Sequence, residues 1–405
     1  MILFVSFLVV GCMTALGWYL MRDLFSPYVI VPGVWFAILL LSYLTQPEFF
    51  PIIHDFPVAM VLWCGFFLIA AYLVYALLPE ERGLLTLKPS MVENVTPSRK
   101  VINAYMVISL LAMPYMLYAL VRYGIERGET NLFLYIRLSS VETDFDKPEF
   151  GLAIYLIPIV PVLLILAYGY VKERWFRILA VLVGIVSGLT TMSKTTFFVM
   201  VITILYIQYR RGKVKVGTMV AVFALFVVFS VWFQLMRSFE NDVDTFSPTD
   251  MLSVYTLSPC VAFDYYAQPM SSQFLGEHVF RFFYAVAHAF GNDIEPASNI
   301  LKFVGVPELT NTYTILYPFY IDFGLGGIAV FGALYGLMFG FLYRRGQKRD
   351  NIYFVLYACF LNYLVLQFVQ ENFFSNLSLS LQYIAISILP FLVGGKGEGK
   401  KQDQT

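Results

Sequence analysis

Long apolar stretches separated by short polar segments make up most of this chain. A helix needs about 20 apolar residues to cross a hydrocarbon layer about 30 Å thick. Eleven segments meet or approach that length, at residues 1–21, 28–45, 57–78, 101–122, 151–171, 176–192, 193–209, 217–236, 314–343, 351–371 and 376–393. The sixth and seventh are short, and the ninth is long enough to tilt or to begin as a loop. The pattern predicts an all-α polytopic integral membrane protein with about 11 transmembrane helices.

One polar stretch is much longer than the others. Residues 237–313 separate the eighth and ninth apolar segments and carry nine acidic residues against three basic ones. Between 274 and 290, apolar side chains recur at helical spacing beside Arg281 and His288, which is typical of a helix lying along a membrane surface. We therefore expect one large extramembrane loop with an amphipathic helix near 274–290.

Composition narrows the class of protein. Hydrophobic residues make up 59% of the chain and charged residues 13%. In soluble domains the hydrophobic share is about 45–50% and the charged share about 25%. Lys plus Arg and Asp plus Glu number 27 each, and no basic tract with interleaved aromatic residues occurs in the polar segments, which excludes a nucleic-acid partner. Three of the four cysteines lie in apolar segments, so neither a disulfide framework nor a thiolate metal site is indicated. We expect no cofactor.

The basic residues indicate which ends of the segments face the cytoplasm. No charge precedes Arg22, the reverse of a secretory signal, so the first segment is predicted to be a retained span with its N-terminus outside. Alternation from there places 19 of the 27 Lys and Arg residues on the cytoplasmic side, as the positive-inside rule requires. The loop 237–313 is then periplasmic and the tail 394–405 cytoplasmic, provided that 176–209 forms two spans.

Three cations are predicted near the outer surface, where they could bind phosphate. Lys194 lies between two apolar segments, where a charge is either functional or snorkels to the headgroups, and both interpretations stay open. Arg281 sits within the amphipathic segment, and its guanidinium suits bidentate phosphate binding. Arg237 directly follows a span and is also typical of an interfacial anchor.

Several polar side chains are candidates for proton transfer. Asp264, His278 and His288 could each take a proton from a hydroxyl, and each is also compatible with an ordinary loop role. The spacing of the two histidines does not match a zinc site, so we expect no metal.

A further acid lies at the start of the ninth segment. At that depth Asp322 must be paired or line an aqueous cavity. Pairing with Arg281 or Lys194 and a catalytic role are both open. Residues 367–372 form a comparable polar end on the tenth segment and are expected to line the same cavity.

Three short motifs carry a resemblance to a known family. They are Ser193-Lys194-Thr195, Ala262-Phe263-Asp264-Tyr265, and Thr310-Asn311-Thr312-Tyr313-Thr314 continuing to Tyr320-Ile321-Asp322-Phe323-Gly324. Together with the layout of the spans they resemble the bacterial O-antigen and capsule repeat-unit polymerases, the Wzy family. Lys194 stands where this family usually has arginine. Lysine keeps the positive charge, but it lacks the planar guanidinium that binds phosphate through two parallel hydrogen bonds.

The resemblance implies a membrane glycosyltransferase of the GT-C type in the bacterial inner membrane. It would transfer a growing glycan from undecaprenyl diphosphate onto another undecaprenyl-diphosphate-linked repeat unit at the periplasmic face, alongside a chain-length regulator and a flippase. The candidate residues fall into three groups by expected role: diphosphate-binding Arg281, Lys194 and Arg237; catalytic Asp264, His288 or Asp322; and sugar-binding Asn311, Tyr313 and His278.

Other functions share some of these features. An O-antigen ligase uses the same donor, a cell-wall glycan polymerase is a second enzyme alternative, and a lipid-linked glycan flippase would bind the substrate without chemistry. No internal repeat or inverted pair of halves is visible in the sequence, and polar residues gather at one outer end. Both observations favour an enzyme over a transporter.

Overall fold

The computed structural model of the chain is almost entirely helical. It describes residues 2–45, 51–52, 55–78, 95–127, 136, 150–191, 194–235, 248–298, 300–306, 309–347 and 351–394. In lipid the backbone has no water to bond with, so each spanning segment must satisfy its own polar groups, and a helix does so. The prediction of an all-α polytopic membrane protein is confirmed.

Thirteen α-helices lie in the described part of the chain. They are α1 (Ile2–Met21), α2 (Pro27–Thr45), α3 (Phe56–Leu77), α4 (Arg99–Arg127), α5 (Ile159–Tyr170), α6 (Arg174–Thr191), α7 (Lys194–Arg210), α8 (Val216–Leu235), α9 (Pro248–Tyr266), α10 (Arg281–Ala289), α11 (Tyr317–Gly346), α12 (Ile352–Val365) and α13 (Leu377–Leu392). A 3-10 helix (Gly151–Leu156) precedes α5, and the short strands β1 (Val304–Gly305) and β2 (Leu309–Thr310) pair antiparallel. Each of the eleven apolar segments contains one helix, while α9 and α10 lie within 237–313.

The helices differ in how readily they could cross a bilayer. Among the described residues, α1, α2, α3, α4 and α11 are long and apolar enough to span. Four shorter helices, α5, α8, α12 and α13, are also apolar. The segment 176–209 forms two helices, α6 and α7, as the predicted alternation of sides requires.

Helices α3 and α11 form the most extensive helix pair in the structure. Along α11, Gly332, Gly336 and Gly340 recur every fourth residue, and each lies against the backbone of α3. Small residues at this spacing let two helix backbones approach closely, which is how membrane helices gain packing energy. The pair is therefore held by close contact and places the outer ends of both helices side by side.

Replacing Gly336 with alanine should destabilise this pair. A Cβ at Gly336 would overlap the carbonyl oxygen of Phe67 on α3, and overpacking of this kind costs about 1–3 kcal/mol. Thermal unfolding of the purified protein in detergent would show a lower midpoint. Gly326→Ala is the matched control, since no atom lies near a Cβ there. Equal midpoints for the two variants would contradict the packing argument.

The predicted outer segments meet at one end of the bundle. The Tyr265 hydroxyl donates to the Pro51 carbonyl (3.0 Å), and the Thr314 amide donates to the Val369 carbonyl (3.0 Å). At the other end, the hydroxyl of Tyr343, the last residue of the ninth apolar segment, donates to Asp23 (2.6 Å) in the segment 22–27, which is predicted to be cytoplasmic. The structure thus separates the chain into two ends in the grouping that the alternation of spans requires.

Helix α11 is interrupted near its outer end. Gly324 has φ 63 and ψ −155, a conformation that residues with a Cβ rarely adopt. The break makes 317–323 a short helical piece set off from the long span that follows. The ninth apolar segment therefore does not cross as one straight helix, and its acid, Asp322, lies on the separate outer piece.

Candidate functional site

The buried carboxylate of Asp322 is the centre of a hydrogen-bond cluster at the outer end. Its oxygens accept from the backbone amides of His278 (3.0 Å) and Val279 (2.8 Å), from the Ser272 hydroxyl, and from His278 Nδ1 at 2.9 Å. The Asp322 side chain is 0% exposed. Of the two roles left open for Asp322, these contacts do not support pairing with a cation, because a histidine, a serine and backbone amides donate to its oxygens.

This cluster also explains where α10 begins. The segment 274–290 is not helical throughout, since 274–280 forms turns and α10 starts at Arg281. The amides of residues 278 and 279 donate to Asp322, and a carboxylate beside a helix N-terminus is favourable. Gly276, at φ 69, reverses the chain just before them. A distant acid thus holds the turns that lead into α10, which local periodicity could not indicate.

His278 connects this cluster to a cleft. The cleft has a volume of about 60 Å³ and is lined by His278, Arg281, Ala297, Ser298, Leu301, Thr314, Tyr317, Pro318, Gln370, Glu371, Ser375 and Asn376. The His278 side chain is 21% exposed, and its ring meets that of Tyr317 edge-on at 6.1 Å. In the tautomer whose Nδ1 donates to Asp322, Nε2 is the nitrogen that can accept a hydrogen bond. A carboxylate that orients an imidazole in this way is the arrangement found in catalytic triads.

Arg281 supplies a cation in the same cleft. Its Nε donates to the Ala297 carbonyl, which fixes the side chain. Burial lowers the pKa of the Arg281 guanidinium from its ordinary value, although guanidinium stays charged at any physiological pH. Among the described residues, none accepts a hydrogen bond from the two terminal nitrogens. One imidazole and one guanidinium thus share this cleft.

The opposite wall is a turn organised by Glu371. Its carboxylate accepts from the backbone amides of residues 373–375 (2.7, 2.9 and 2.6 Å) and from the Tyr335 hydroxyl. These bonds occupy both oxygens, so Glu371 holds the turn that presents Ser375 and Asn376 to the cleft. The sequence pointed to Gln370 and Glu371 at this wall, whereas Ser375 and Asn376 carried no signal.

Two of the predicted sugar-binding residues, Asn311 and Tyr313, are not among the residues that line the cleft. Tyr313 is buried, its hydroxyl donates to the Lys302 carbonyl (2.8 Å), and its ring lies 4.6 Å from that of Tyr317. Burial raises the pKa of Tyr313 to about 12, which keeps its hydroxyl protonated as a donor. Asn311 is half-buried and does not belong to the lining set. Thr314 follows them with φ 67, a strained value for a β-branched residue at the cleft surface.

Asp264 lies in a different part of the outer end. At the last turns of α9, it accepts a hydrogen bond from the Phe56 amide (3.0 Å), the first residue of α3. An acid in this position caps the N-terminus of α3. The structure does not bring Asp264 into the cleft with His278 and Arg281.

Substitution of Asp264 should separate a capping role from a catalytic one. Asp264→Ala removes the acceptor and is expected to cost about 1 kcal/mol of stability, read as a lower thermal midpoint. Asp264→Asn keeps a side-chain oxygen and should keep both the midpoint and the activity. An inactive but stable Asp264→Asn protein would instead support a catalytic base at this position.

Two further candidates, His288 and Lys194, also lie outside the cleft. His288 is exposed in the last turn of α10, and its Nδ1 lies 2.9 Å from the Asn292 carbonyl oxygen. Lys194 is the first residue of α7 and does not belong to the lining set. Arg237 lies outside the described residues. Within the described ranges, no group of three or more His, Cys, Asp and Glu side chains could hold a metal ion.

The fold and the cleft together define a polytopic membrane protein with a polar, cationic site at one end of its helix bundle. The chain belongs to the O-antigen polymerase family, since a family model described as "Putative O-antigen polymerase" matches residues 23–368. A protein of Escherichia coli (strain K12) with the same description is 25% identical over 385 residues, covering 92% of this chain and 93% of the relative. No solved structure matches the chain. The resemblance seen in the sequence motifs is confirmed.

Proposed function

We propose that the protein is an O-antigen or capsule polysaccharide polymerase, a membrane glycosyltransferase. It transfers a growing glycan from undecaprenyl diphosphate onto a new undecaprenyl-diphosphate-linked repeat unit. Family membership over residues 23–368 supports the assignment. The single structural observation that carries it is the placement of His278, oriented by Asp322, in one cleft with Arg281.

In this proposal His278 is the general base. Its Nε2 takes the proton of the acceptor sugar hydroxyl while the hydroxyl oxygen attacks the anomeric carbon of the donor glycan. Asp322 holds the imidazole through Nδ1 (2.9 Å) and stabilises the imidazolium that forms. This role replaces Asp264 and His288, which lie elsewhere, and it makes Asp322 a positioning residue.

Arg281 acts on the leaving group. As the anomeric carbon–oxygen bond breaks, its electron pair stays with undecaprenyl diphosphate, whose charge the guanidinium balances. Of the two predicted diphosphate-binding cations that the structure describes, Arg281 and Lys194, Arg281 lines the cleft. The amide and hydroxyl groups of Gln370, Ser375 and Asn376 are suited to sugar hydroxyls.

The proposed orientation puts the cleft at the periplasmic face of the inner membrane. The basic segments around Arg210 and Arg344 lie at the opposite end of the bundle, where Arg210 donates to the Gly346 carbonyl (3.0 Å) and Arg344 to the Leu78 carbonyl (3.0 Å). Lys and Arg gather at cytoplasmic ends of membrane helices. The N-terminus is then periplasmic and the C-terminus cytoplasmic.

Two experiments test the function. Purified protein with a synthetic undecaprenyl-diphosphate-linked repeat unit should form polymer, and this activity should persist in the presence of a chelator. In a deletion strain, a lipopolysaccharide ladder should collapse to a single-repeat band. Core with accumulated lipid-linked polymer would indicate a ligase, and core without outward-facing lipid-linked repeat would indicate a flippase.

A further inference from the structure

A continuous aromatic strip leads away from the cleft toward the long part of α11. The rings of Phe283 and Phe280 lie 6.4 Å apart, and Phe280 lies 6.2 Å from Phe323 and 6.4 Å from Phe331. Phe323 and Phe331 stack at 5.9 Å across the break at Gly324. The strip is therefore an unbroken series of aromatic contacts from α10 to the membrane-spanning helix α11.

Part of this strip is exposed. Phe283 is 58% exposed on α10. On α11, Val330 precedes Phe331 in the chain and is 57% exposed, with the exposed Leu334 one turn further along the same helix face. Aromatic side chains exposed on an extramembrane segment mark a surface that binds something apolar. Because the strip continues onto the lipid-facing side of α11, an apolar occupant can reach it directly from the bilayer.

The strip begins next to the cation of the cleft. Phe280 immediately precedes Arg281, whose guanidinium lines the cleft. A polyprenyl diphosphate carries its charge directly on the end of its hydrocarbon chain, so a site for it needs a cation and an apolar path that start at the same point. The juxtaposition of Arg281 and Phe280 meets this requirement.

We propose that the surface formed by Phe280, Phe283, Phe323, Val330 and Leu334, with the buried ring of Phe331 beneath it, binds the polyprenyl chain of the lipid-linked glycan whose diphosphate contacts Arg281. The chain enters sideways from the bilayer between α10 and the outer part of α11. This inference rests on the proposed function and adds to it a binding site for the lipid. The sugars extend from the diphosphate into the cleft on the other side of Arg281.

The test compares two lipid-linked repeat units that differ only in the isoprenoid, one with the long undecaprenyl chain and one with a short, water-soluble chain. The wild-type protein should favour the long chain in kcat/KM. Phe283→Ser and Val330→Ser, both at exposed positions, should each reduce the long-to-short ratio about tenfold, the effect of about 1.4 kcal/mol of lost apolar contact. The ratio within one variant cancels any general loss of folded protein.

Phe290→Ser is the matched control. Phe290 follows α10 on the same segment and is 89% exposed, so it is the better membrane anchor and lies farther along the chain from the cation. It should keep the wild-type ratio. If Phe290→Ser lowered the long-to-short ratio as much as the other two variants, the effect would be membrane anchoring. If Phe283→Ser and Val330→Ser left the ratio unchanged, these side chains would make only ordinary lipid contact. Either result overturns the inference. Wild-type protein that polymerises both substrates equally well would overturn it too, with the proposed function intact, whereas no polymer from either would overturn the proposed function itself.

Discussion

Replacing His278 with glutamine should reduce polymerisation by about 10²–10⁴-fold, the usual contribution of a general base. Glutamine can still donate to Asp322 through its side-chain amide, so the hydrogen bonds that hold the turns before α10 are largely preserved. The group that accepts the hydroxyl proton is lost. The expected result in cells is a single-repeat lipopolysaccharide band at a normal protein level. In vitro, kcat should fall far more than KM rises.

His288 offers the matched control for this experiment. It is a histidine of the same loop, exposed at the end of α10 and outside the cleft. His288→Gln should therefore support a full ladder. The reverse pattern, with His278→Gln active and His288→Gln inactive, would return the base to His288, one of the three residues that the sequence suggested.

Removing the guanidinium of Arg281 is expected to have the second largest effect. Arg281→Ala takes away the fixed cation in the cleft, and loss of one such electrostatic contact costs about 10²–10³-fold in rate. Arg281→Lys restores a charge without the planar fork and should recover part of that loss. Both variants should be measured by polymer formed per molecule of folded protein, because the Nε bond to the Ala297 carbonyl also supports the loop.

A second cation of the loop serves as the control for Arg281. Lys302 has an exposed side chain and contributes its backbone carbonyl, not its ammonium, to the bond with Tyr313. Lys302→Ala removes the same charge from the loop and should leave polymerisation near the wild-type level. If both alanine variants lost activity equally, the effect would be the general charge of the loop, and a specific diphosphate contact at Arg281 would be refuted.

The candidate site could be predicted from the sequence only in part. His278, Arg281 and Asp322 were all identified, because a charge or an imidazole stands out against an apolar chain. Their grouping was not, since the role of Asp322 stayed open between pairing with a cation and catalysis, and His278 was assigned to sugar binding with no link to Asp322. His278 and Asp322 are 44 residues apart, and a hydrogen bond over that separation leaves no periodic pattern in the sequence.

The wall around Glu371 illustrates the same limit. A polar end on the tenth apolar segment is visible in the sequence, but what its acid does depends on which donors surround it. In the fold its oxygens accept three backbone amides, so the carboxylate shapes the cleft and the neighbouring Ser375 and Asn376 become its lining. Asp264 is similar, since the amide of Phe56 turns it into a helix cap.

The sequence by itself determined that the chain is a polytopic helical membrane protein, where its eleven apolar segments lie, and which family it resembles. These properties follow from local composition and length, because a bilayer imposes the same requirement on each segment independently. Tertiary structure alone decided that 317–323 separates from the span at Gly324, that Asp322 orients His278, and that Arg281 shares their cleft. Such features depend on close helix approach and on hydrogen bonds between distant segments, which exist only once the bundle is packed.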